Sequence, residues 1–166
     1  SEMCIRDRLI DGVRPTVTSF TTTISSGNYK ADQQIVITAN TSEDIQSGNS
    51  IVTTLDTGDQ ITLTAASAGT TMVGTYTVEA GDNSSSLTVS SFAIGTVKDT
   101  IGNSMTSTTL PDTTSIFGTK TIVIDTTNPT VSSFTTATTS GYYKAEQQIV
   151  ITANTSENIK SGNSIV

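Results

Sequence analysis

The chain has 166 residues, with eight lysines and arginines against fifteen aspartates and glutamates, no histidine and a net charge of -7. Without histidine it can hold no Ser-His-Asp triad, no Cys-His pair and no imidazole-bound zinc, and we expect no enzymatic activity. The acidic balance argues against nucleic-acid binding, and no apolar run approaches the roughly 20 residues needed for membrane insertion.

Threonine and serine dominate the composition, with 35 and 22 residues. The apolar residues are mainly β-branched, since 17 isoleucines and 12 valines stand against 5 leucines. Such side chains lose little rotamer freedom in a pleated sheet. The composition therefore predicts an all-β fold.

Seven β-branched runs separated by turn clusters are the predicted strands. In chain order they are A (16–22), B (33–40), C (50–55), D (60–65), E (70–78), F (85–94) and G (119–125). Alternation places Ile35, Ile37 and Ala39 on one face of strand B, and it turns Ile122 and Ile124 inward in strand G. This pattern predicts an antiparallel Greek-key immunoglobulin-like β-sandwich of about seven strands.

The segment 95–118 is too long for a plain loop in a compact domain. We therefore expect a further short strand near 105–110, ended by Pro111, which cannot donate a backbone hydrogen bond.

The chain repeats itself at an offset of 114 residues. Residues 15–52 and 129–166 match at 30 of 38 positions without a gap. We therefore assign 9–126 to a complete repeat and 127–166 to a truncated second copy with strands A and B and the start of C. Two strands cannot close a sandwich, so we expect this copy to be poorly packed or to pair with an edge of the first. The alternative fold is a β-helix, but this period is far longer than one of its coils.

Residues 1–8, SEMCIRDR, share nothing with the repeat. They resemble the translated read-through of a sequencing-library adapter, a familiar contaminant of metagenomic gene sequences, and the alternative is a genuine N-terminal segment. The single cysteine, Cys4, lies in this leader. The repeat is thus cysteine-free, and with its threonine-rich, acidic composition it suits an extracellular setting.

Several segments carry a resemblance to a known family. They are YKA (29–31), QIVIT (34–38), TSE (41–43), TYTVEAGDN (75–83), VKDTIGN (97–103) and IVIDTTNPTV (122–131). In this order they resemble the bacterial immunoglobulin-like tandem repeats of very large cell-surface adhesins. The resemblance implies a structural spacer in an extracellular stalk whose partners are neighbouring repeats, while other parts of the protein bind a host or biofilm ligand. It also implies calcium at the domain junctions.

Oxygen-bearing side chains lie in loops that such a sandwich gathers at one end. Asp11 precedes strand A, Glu43 lies in the B–C loop, and Asp99 and Asn103 follow strand F. Calcium takes about six to eight oxygen ligands, mostly carboxylates and carbonyls, so these residues form a candidate calcium site.

The same pattern recurs at the start of the second copy, where Asp125 and Glu157 are the counterparts of Asp11 and Glu43. We therefore expect these two residues to contribute a calcium site at the junction. The alternative interpretation is turn chemistry, because Asp and Asn side chains bond nearby backbone groups in turns. The chain contains no contiguous D-x-D-x-D-G calcium loop.

A second functional hypothesis is a binding module. In that case the end loops or an exposed sheet face would recognise a carbohydrate or a protein. This hypothesis predicts a concave or aromatic-lined site, and the chain offers only four tyrosines and no tryptophan for it.

Overall fold

A computed structural model describes residues 10–164, so the predictions made for the leader 1–8 lie outside the described residues. The described part contains strands and one short 3-10 turn, Thr113–Ser115, with no α-helix among these residues, which confirms the prediction of an all-β fold. The chain divides into two compact units, one ending at Thr126 and the other beginning at Thr127. Each unit is described by itself.

The first unit contains nine strands within its described residues. They are β1 (Val17–Thr22), β2 (Gly27–Tyr29), β3 (Gln34–Ile45), β4 (Ser50–Leu55), β5 (Gln60–Thr64), β6 (Gly69–Thr77), β7 (Asn83–Ser84), β8 (Val89–Thr96) and β9 (Ile122–Asp125). Every predicted strand from A to G corresponds to one of them, and β4 has the predicted bounds. Predicted strand F corresponds to β8, which begins only at Val89, and the short strands β2 and β7 were not predicted.

Six strands form one antiparallel sheet in the order β1-β3-β6-β5-β4-β8, and this sheet curls. Strand β5 joins its two halves, since it pairs with β4 over five positions and with β6 only where Thr64 faces Val73. Gly74 permits the close approach of β6 to β5, because a Cβ there would lie 2.5 Å from the carbonyl oxygen of Thr62.

A smaller sheet has the order β2-β9-β7. Its β2–β9 pair is parallel, with Gly27 facing Ile122 and Tyr29 facing Ile124, so the fold is not antiparallel throughout. Strand β9 is therefore held on one side by β2 and on the other by β7.

The predicted strand at 105–110 is wrong. Ser104 forms an isolated bridge with Lys98, and Met105 donates its N–H to the carbonyl oxygen of Val97, but no strand follows. Instead the Ser107 hydroxyl accepts the N–H of Thr109, a local side-chain bond of the kind that competes with sheet pairing. The side chain of Met105 is buried, but it reaches the core from a loop.

Alternation in β3 builds the centre of the core. Ile35, Ile37 and Ala39 are fully buried, as predicted for one face of strand B. Phe20 of β1 packs edge to face on Phe92 of β8, with ring centroids 6.0 Å apart. The core is completed by the inward side chains of β4, β5, β6 and β9, namely Ile51, Leu55, Leu63, Met72, Tyr76, Ile122 and Ile124.

The second unit contains two strands, β10 (Val131–Thr136) and β11 (Ile151–Thr155), within its described residues. They pair antiparallel in the register of β1 and β3, including the irregularity after the first residue. Their apolar side chains are exposed, since Phe134 is 63% and Ile151 is 68% accessible. The repeated sequence thus folds into the same pair of strands without a covered core.

The repeat supplies a matched test of how much the core stabilises the first unit. We expect Phe20→Ala to lower the free energy of unfolding by about 3–5 kcal/mol, because it empties a fully buried site. Phe134→Ala, the same change at the exposed counterpart, should cost no more than about 0.5 kcal/mol. Urea unfolding measures both, and equal losses would contradict the burial difference.

Candidate metal site

Three carboxylates converge at one end of the first unit. Asp11, Glu43 and Asp99 each offer an oxygen, and these oxygens all lie within 4.8 Å of one another. Asp11 precedes β1, Glu43 lies near the end of β3, and Asp99 follows β8. The structure therefore brings together three of the residues that were predicted to form a calcium site.

An irregularity in β3 places Glu43. The regular pairing of β3 with β6 runs to Asn40 opposite Thr71, and it resumes only at Ile45 opposite Gly69. Within this interval the Thr41 hydroxyl donates to the carbonyl oxygen of Glu43 at 2.8 Å. Such an irregularity bends a strand and redirects its side chains.

Asp99 is held by its own loop. Its Oδ1 accepts the backbone N–H groups of Ile101, Gly102 and Asn103, and its Oδ2 accepts the side-chain amide of Asn103 at 2.7 Å. Burial by itself would raise the pKa of Asp99, but the bonds from Asn103, Gly102 and Ile101 together outweigh it and lower the pKa. Asp99 is therefore a fixed carboxylate.

Glu43 has the opposite environment. Its Oε2 is buried and accepts no hydrogen bond. Burial raises the pKa of Glu43, and the negative charges of Asp11 and Asp99 raise it further. The folded chain therefore disfavours the charge of Glu43 unless a cation or a proton compensates it.

Asn103 connects the cluster to the segment before β1. Its side-chain amide donates to Oδ2 of Asp99 and also reaches the carbonyl oxygen of Asp11 at 3.3 Å. The Oδ1 of Asp11 accepts the N–H of Val13 at 3.0 Å. Asn103 thus acts as a donor that positions the two aspartates.

Two amide side chains that the sequence analysis did not select fix the loops around the site. The Nε2 of Gln46 donates to the carbonyl oxygen of Asp99 at 2.9 Å, and the Nδ2 of Asn49 donates to that of Lys98 at 2.7 Å. In the sequence these two residues stand out only as polar residues close to the turn glycine Gly48, which is a weak indication of a role at the site. Nothing in the sequence identifies their acceptors.

The donor set fits a hard divalent cation. Carboxylate oxygens are the preferred ligands of calcium, and the three residues supply three negative charges. The unpartnered Oε2 of Glu43 is the oxygen most in need of a positive partner. Asp11, Glu43 and Asp99 would hold the ion, and water would complete its shell.

The remaining predicted ligands lie elsewhere. Asp125 ends β9 and pairs with Asn83, at the other end of the first unit from Asp99. Glu157 belongs to the second unit, where the Thr155 hydroxyl donates to its carbonyl oxygen at 2.7 Å, as Thr41 does for Glu43. Neither joins the cluster of Asp11, Glu43 and Asp99.

Other acidic loops of the first unit show ordinary turn chemistry. Asp56 accepts the Ser84 hydroxyl and the N–H of Thr88. Asp82 accepts the Tyr76 hydroxyl at 2.6 Å, and burial together with this bond raises the pKa of Tyr76. These carboxylates have protein donors, so the turn interpretation describes them.

Comparison of the chain with protein-family models, curated proteins and solved structures gives no match. Among residues 10–164 no helix is long and apolar enough to cross a membrane.

The pKa of Glu43 is raised and that of Asp99 is lowered, so replacing these two residues should change the stability of the fold in opposite directions in calcium-free buffer. Glu43→Gln should raise the free energy of unfolding at pH 7, because the raised pKa of Glu43 means that its charge opposes folding. This gain should vanish below the unfolded pKa of glutamate, about 4.3, where Glu43 is neutral in both states. Urea unfolding between pH 3 and 7 measures it.

Asp99→Asn supplies the reverse case. The lowered pKa of Asp99 means that its charge favours folding, so the variant should be less stable at pH 7. The difference should shrink as the pH falls through the folded pKa, where wild-type Asp99 also becomes neutral. Changes of the same sign in both variants would contradict the assigned environments.

Proposed function

We propose that this chain is a structural spacer, an immunoglobulin-like tandem repeat in the stalk of an extracellular bacterial adhesin. The observation that carries the proposal is the repeated strand pair. Strands β10 and β11 reproduce β1 and β3 position by position, with Phe134 opposite Ala153 as Phe20 is opposite Ala39. Chains built from such units gain length by repetition, with each unit contacting its neighbours.

The topology supports the immunoglobulin-like part of the proposal. The sheet order β1-β3-β6-β5-β4-β8 contains the A-B-E-D succession of such domains, followed by C and F. Strand β9, as G, pairs parallel with β2, a short strand that comes directly after the first one in the chain. We propose a Greek-key arrangement as the finer description of this order.

Hydrogen bonds of the last residue of the first unit, Thr126, support a short junction between repeats. Thr126 donates its hydroxyl to the carbonyl oxygen of Asp82, and this hydroxyl accepts the N–H of Gly81 at 2.9 Å. The backbone N–H of Thr126 donates to Oδ1 of Asn83. The chain is therefore fixed to its unit up to Thr126, and Pro129 restricts the backbone of the linker after it.

Calcium is part of the proposal. Asp125 is the counterpart of Asp11 in the repeat, so an aspartate that ends one unit corresponds to a member of the carboxylate cluster of the next. A cation bound there would offset the repulsion between carboxylates and stiffen the junction. The partners of the spacer are then its neighbouring repeats, and other regions of the adhesin bind the host or biofilm ligand.

A carbohydrate- or protein-binding module is the second candidate. A polar cleft of about 230 Å³ lies between β5 and β6, lined by Asp59, Gln60, Thr75, Thr77 and Glu79 among others. It is smaller than the roughly 300–1,000 Å³ of ligand sites, and its polar lining offers little apolar surface. A glycan array tests this candidate, and we expect no binding from the spacer.

The calcium part is tested by thermal unfolding of the chain in 10 mM calcium and in chelator. Extracellular calcium modules bind with dissociation constants of about 0.1–1 mM, so the midpoint should rise by about 5 °C or more. Glu43→Gln should abolish the rise, whereas Glu79→Gln, which removes a carboxylate outside the cluster, should retain it. A rise that survives Glu43→Gln would place the ion elsewhere.

The spacer part is tested by joining copies of residues 15–128 head to tail, with residues 10–14 kept before the first copy, and measuring the radius of gyration by small-angle X-ray scattering. A stiff stalk should lengthen in proportion to the number of copies in calcium. In chelator the growth should follow roughly the square root of that number, as for flexibly linked units. Collapse of the copies into a compact particle in both buffers would contradict a spacer role.

A further inference from the structure

The second unit exposes an apolar face that the first unit buries. Residues 148–159 match residues 34–45, which form β3, at 11 of 12 positions. Five large apolar side chains of the second unit are 40–68% accessible, whereas their counterparts at an offset of 114 are at most 6% accessible. The buried counterparts are Val17, Phe20, Ile35, Ile37 and Ile45. The exposed residues, which we call the acceptor face, are Val131, Phe134, Ile149, Ile151 and Ile159.

One edge of the second unit has no neighbouring strand. Among the described residues β11 pairs with β10 alone, whereas its counterpart β3 pairs with β1 on one edge and with β6 on the other. An unpaired edge presents backbone N–H and C=O groups to any extended chain that approaches it. The first unit therefore shows, on nearly the same sequence, which strand fits the free edge of β11.

Strand β6 is the partner that fits. It pairs with β3 at eight positions, with Met72 opposite Ala39 and Tyr76 opposite Ile35. Met72 and Tyr76 are both buried, so they help to cover the inner face of β3. A large side chain opposite a small alanine gives the close packing that protein interiors require. At an offset of 114, the same register would place Met72 opposite Ala153.

A cleft beside the acceptor face is a second open place in this unit. Its volume is about 150 Å³. In the first unit the corresponding place meets the loop after β8, where Ile45 forms a bridge with Asp99, and Asn49 donates its side-chain amide to the carbonyl oxygen of Lys98 at 2.7 Å. The open surfaces of the second unit thus correspond to places that later parts of the repeat occupy in the first. The cleft is lined by Pro129, Val131, Thr155, Ile159, Asn163 and Ser164 among others.

We propose that the second unit is an acceptor for an extended strand with the sequence of β6, donated by a second copy of this chain. The strand adds to the free edge of β11 in antiparallel orientation, as in the binding of peptides by β-augmentation. Its Met72 and Tyr76 side chains then cover the acceptor face. The donor is a copy whose first unit has not closed, because β6 of a folded unit is paired on both edges.

A β6 strand suits the acceptor face better than a second copy of β11 does. The residues Gly69–Thr77 carry no charge, and they bring two large side chains, Met72 and Tyr76, to one face. Strand β11 brings one isoleucine, Ile151, and the small Ala153 to its apolar face. Because the gain from burial scales with apolar area, β6 stabilises the second unit more.

Binding of a synthetic peptide of residues 69–78, capped at both ends, to the full chain tests the proposal. Fluorescence anisotropy of the labelled peptide measures the dissociation constant. We expect saturable binding of one peptide per chain, and it should not weaken between 0.05 and 1 M sodium chloride, because the peptide carries no charge. Absence of saturable binding up to millimolar concentration would overturn the proposal.

Two peptide variants define the place of binding. Met72→Ser should bind about tenfold or more weakly, because it removes an apolar side chain that the complex buries. Gly74→Ala should bind β11 equally well or better, since alanine suits a strand better than glycine does. In the first unit a Cβ at Gly74 would lie 2.5 Å from the carbonyl oxygen of Thr62. Loss of binding by Gly74→Ala would therefore place the peptide in the first unit and overturn the proposal.

Ile151→Lys and Thr152→Lys are a matched pair of chain variants within β11. Neighbouring residues of a strand point to opposite faces, so only Ile151→Lys puts its charge on the acceptor face. Both residues are exposed, and neither belongs to the first unit. Ile151→Lys should weaken peptide binding by about tenfold or more, because the complex would bury an unpaired charge. Thr152→Lys should stay within about twofold of the wild type, and equal losses would overturn the proposal.

A copy with an opened first unit tests the donor. Ile37→Asp puts a charge into the core and should unfold that unit, which frees β6, and Ile151→Lys in the same copy disables its own acceptor face. This double variant should displace the labelled peptide from the wild-type chain. The single variant Ile151→Lys, whose first unit stays closed, should not displace it. Failure of the opened copy to compete would overturn the proposal, since the donor would not be a copy of this chain.

Discussion

The pairing of β3 with β1 on one side and β6 on the other is the interaction on which the first unit depends. Seven consecutive positions of β3, from Gln34 to Asn40, face β6, and four of them also face β1. Alternation sends Ile35, Ile37 and Ala39 to the core and leaves threonine, valine and asparagine outside. One strand therefore sets the core, the outer face and the direction in which the chain leaves the sheet.

The candidate metal site arises at the point where this regular pairing stops. Beyond Asn40 the ladder of β3 is interrupted until Ile45, and Glu43 is thereby placed beside Asp99. Asp99 can stay charged because its own turn donates four hydrogen bonds to it, whereas Glu43 has a buried oxygen with no donor. The three carboxylates are thus unequal, and Glu43 is the member whose charge the fold leaves uncompensated.

Strand positions were largely predictable because β-branched alternation is a local signal. It located β4 from Ser50 to Leu55 and the inward residues of β9 without knowledge of their partners. The error at 105–110 arose because β-branched and polar residues can also serve a loop once local side-chain bonds replace the ladder. The approach of Gln46 to Asp99, 53 residues away, was not predictable, since it depends on how two loops meet.

The separation of charge from the sheet faces connects these features. A chain rich in short hydroxyl side chains can cover a sheet with neutral polar groups, and its carboxylates are then confined to turns and strand ends. There they can cap backbone N–H groups, as Asp99 and Asp112 do, or meet one another, as Asp11 and Glu43 do. The repeat carries the same acidic positions at an offset of 114 residues, since Asp125 and Glu157 are the counterparts of Asp11 and Glu43.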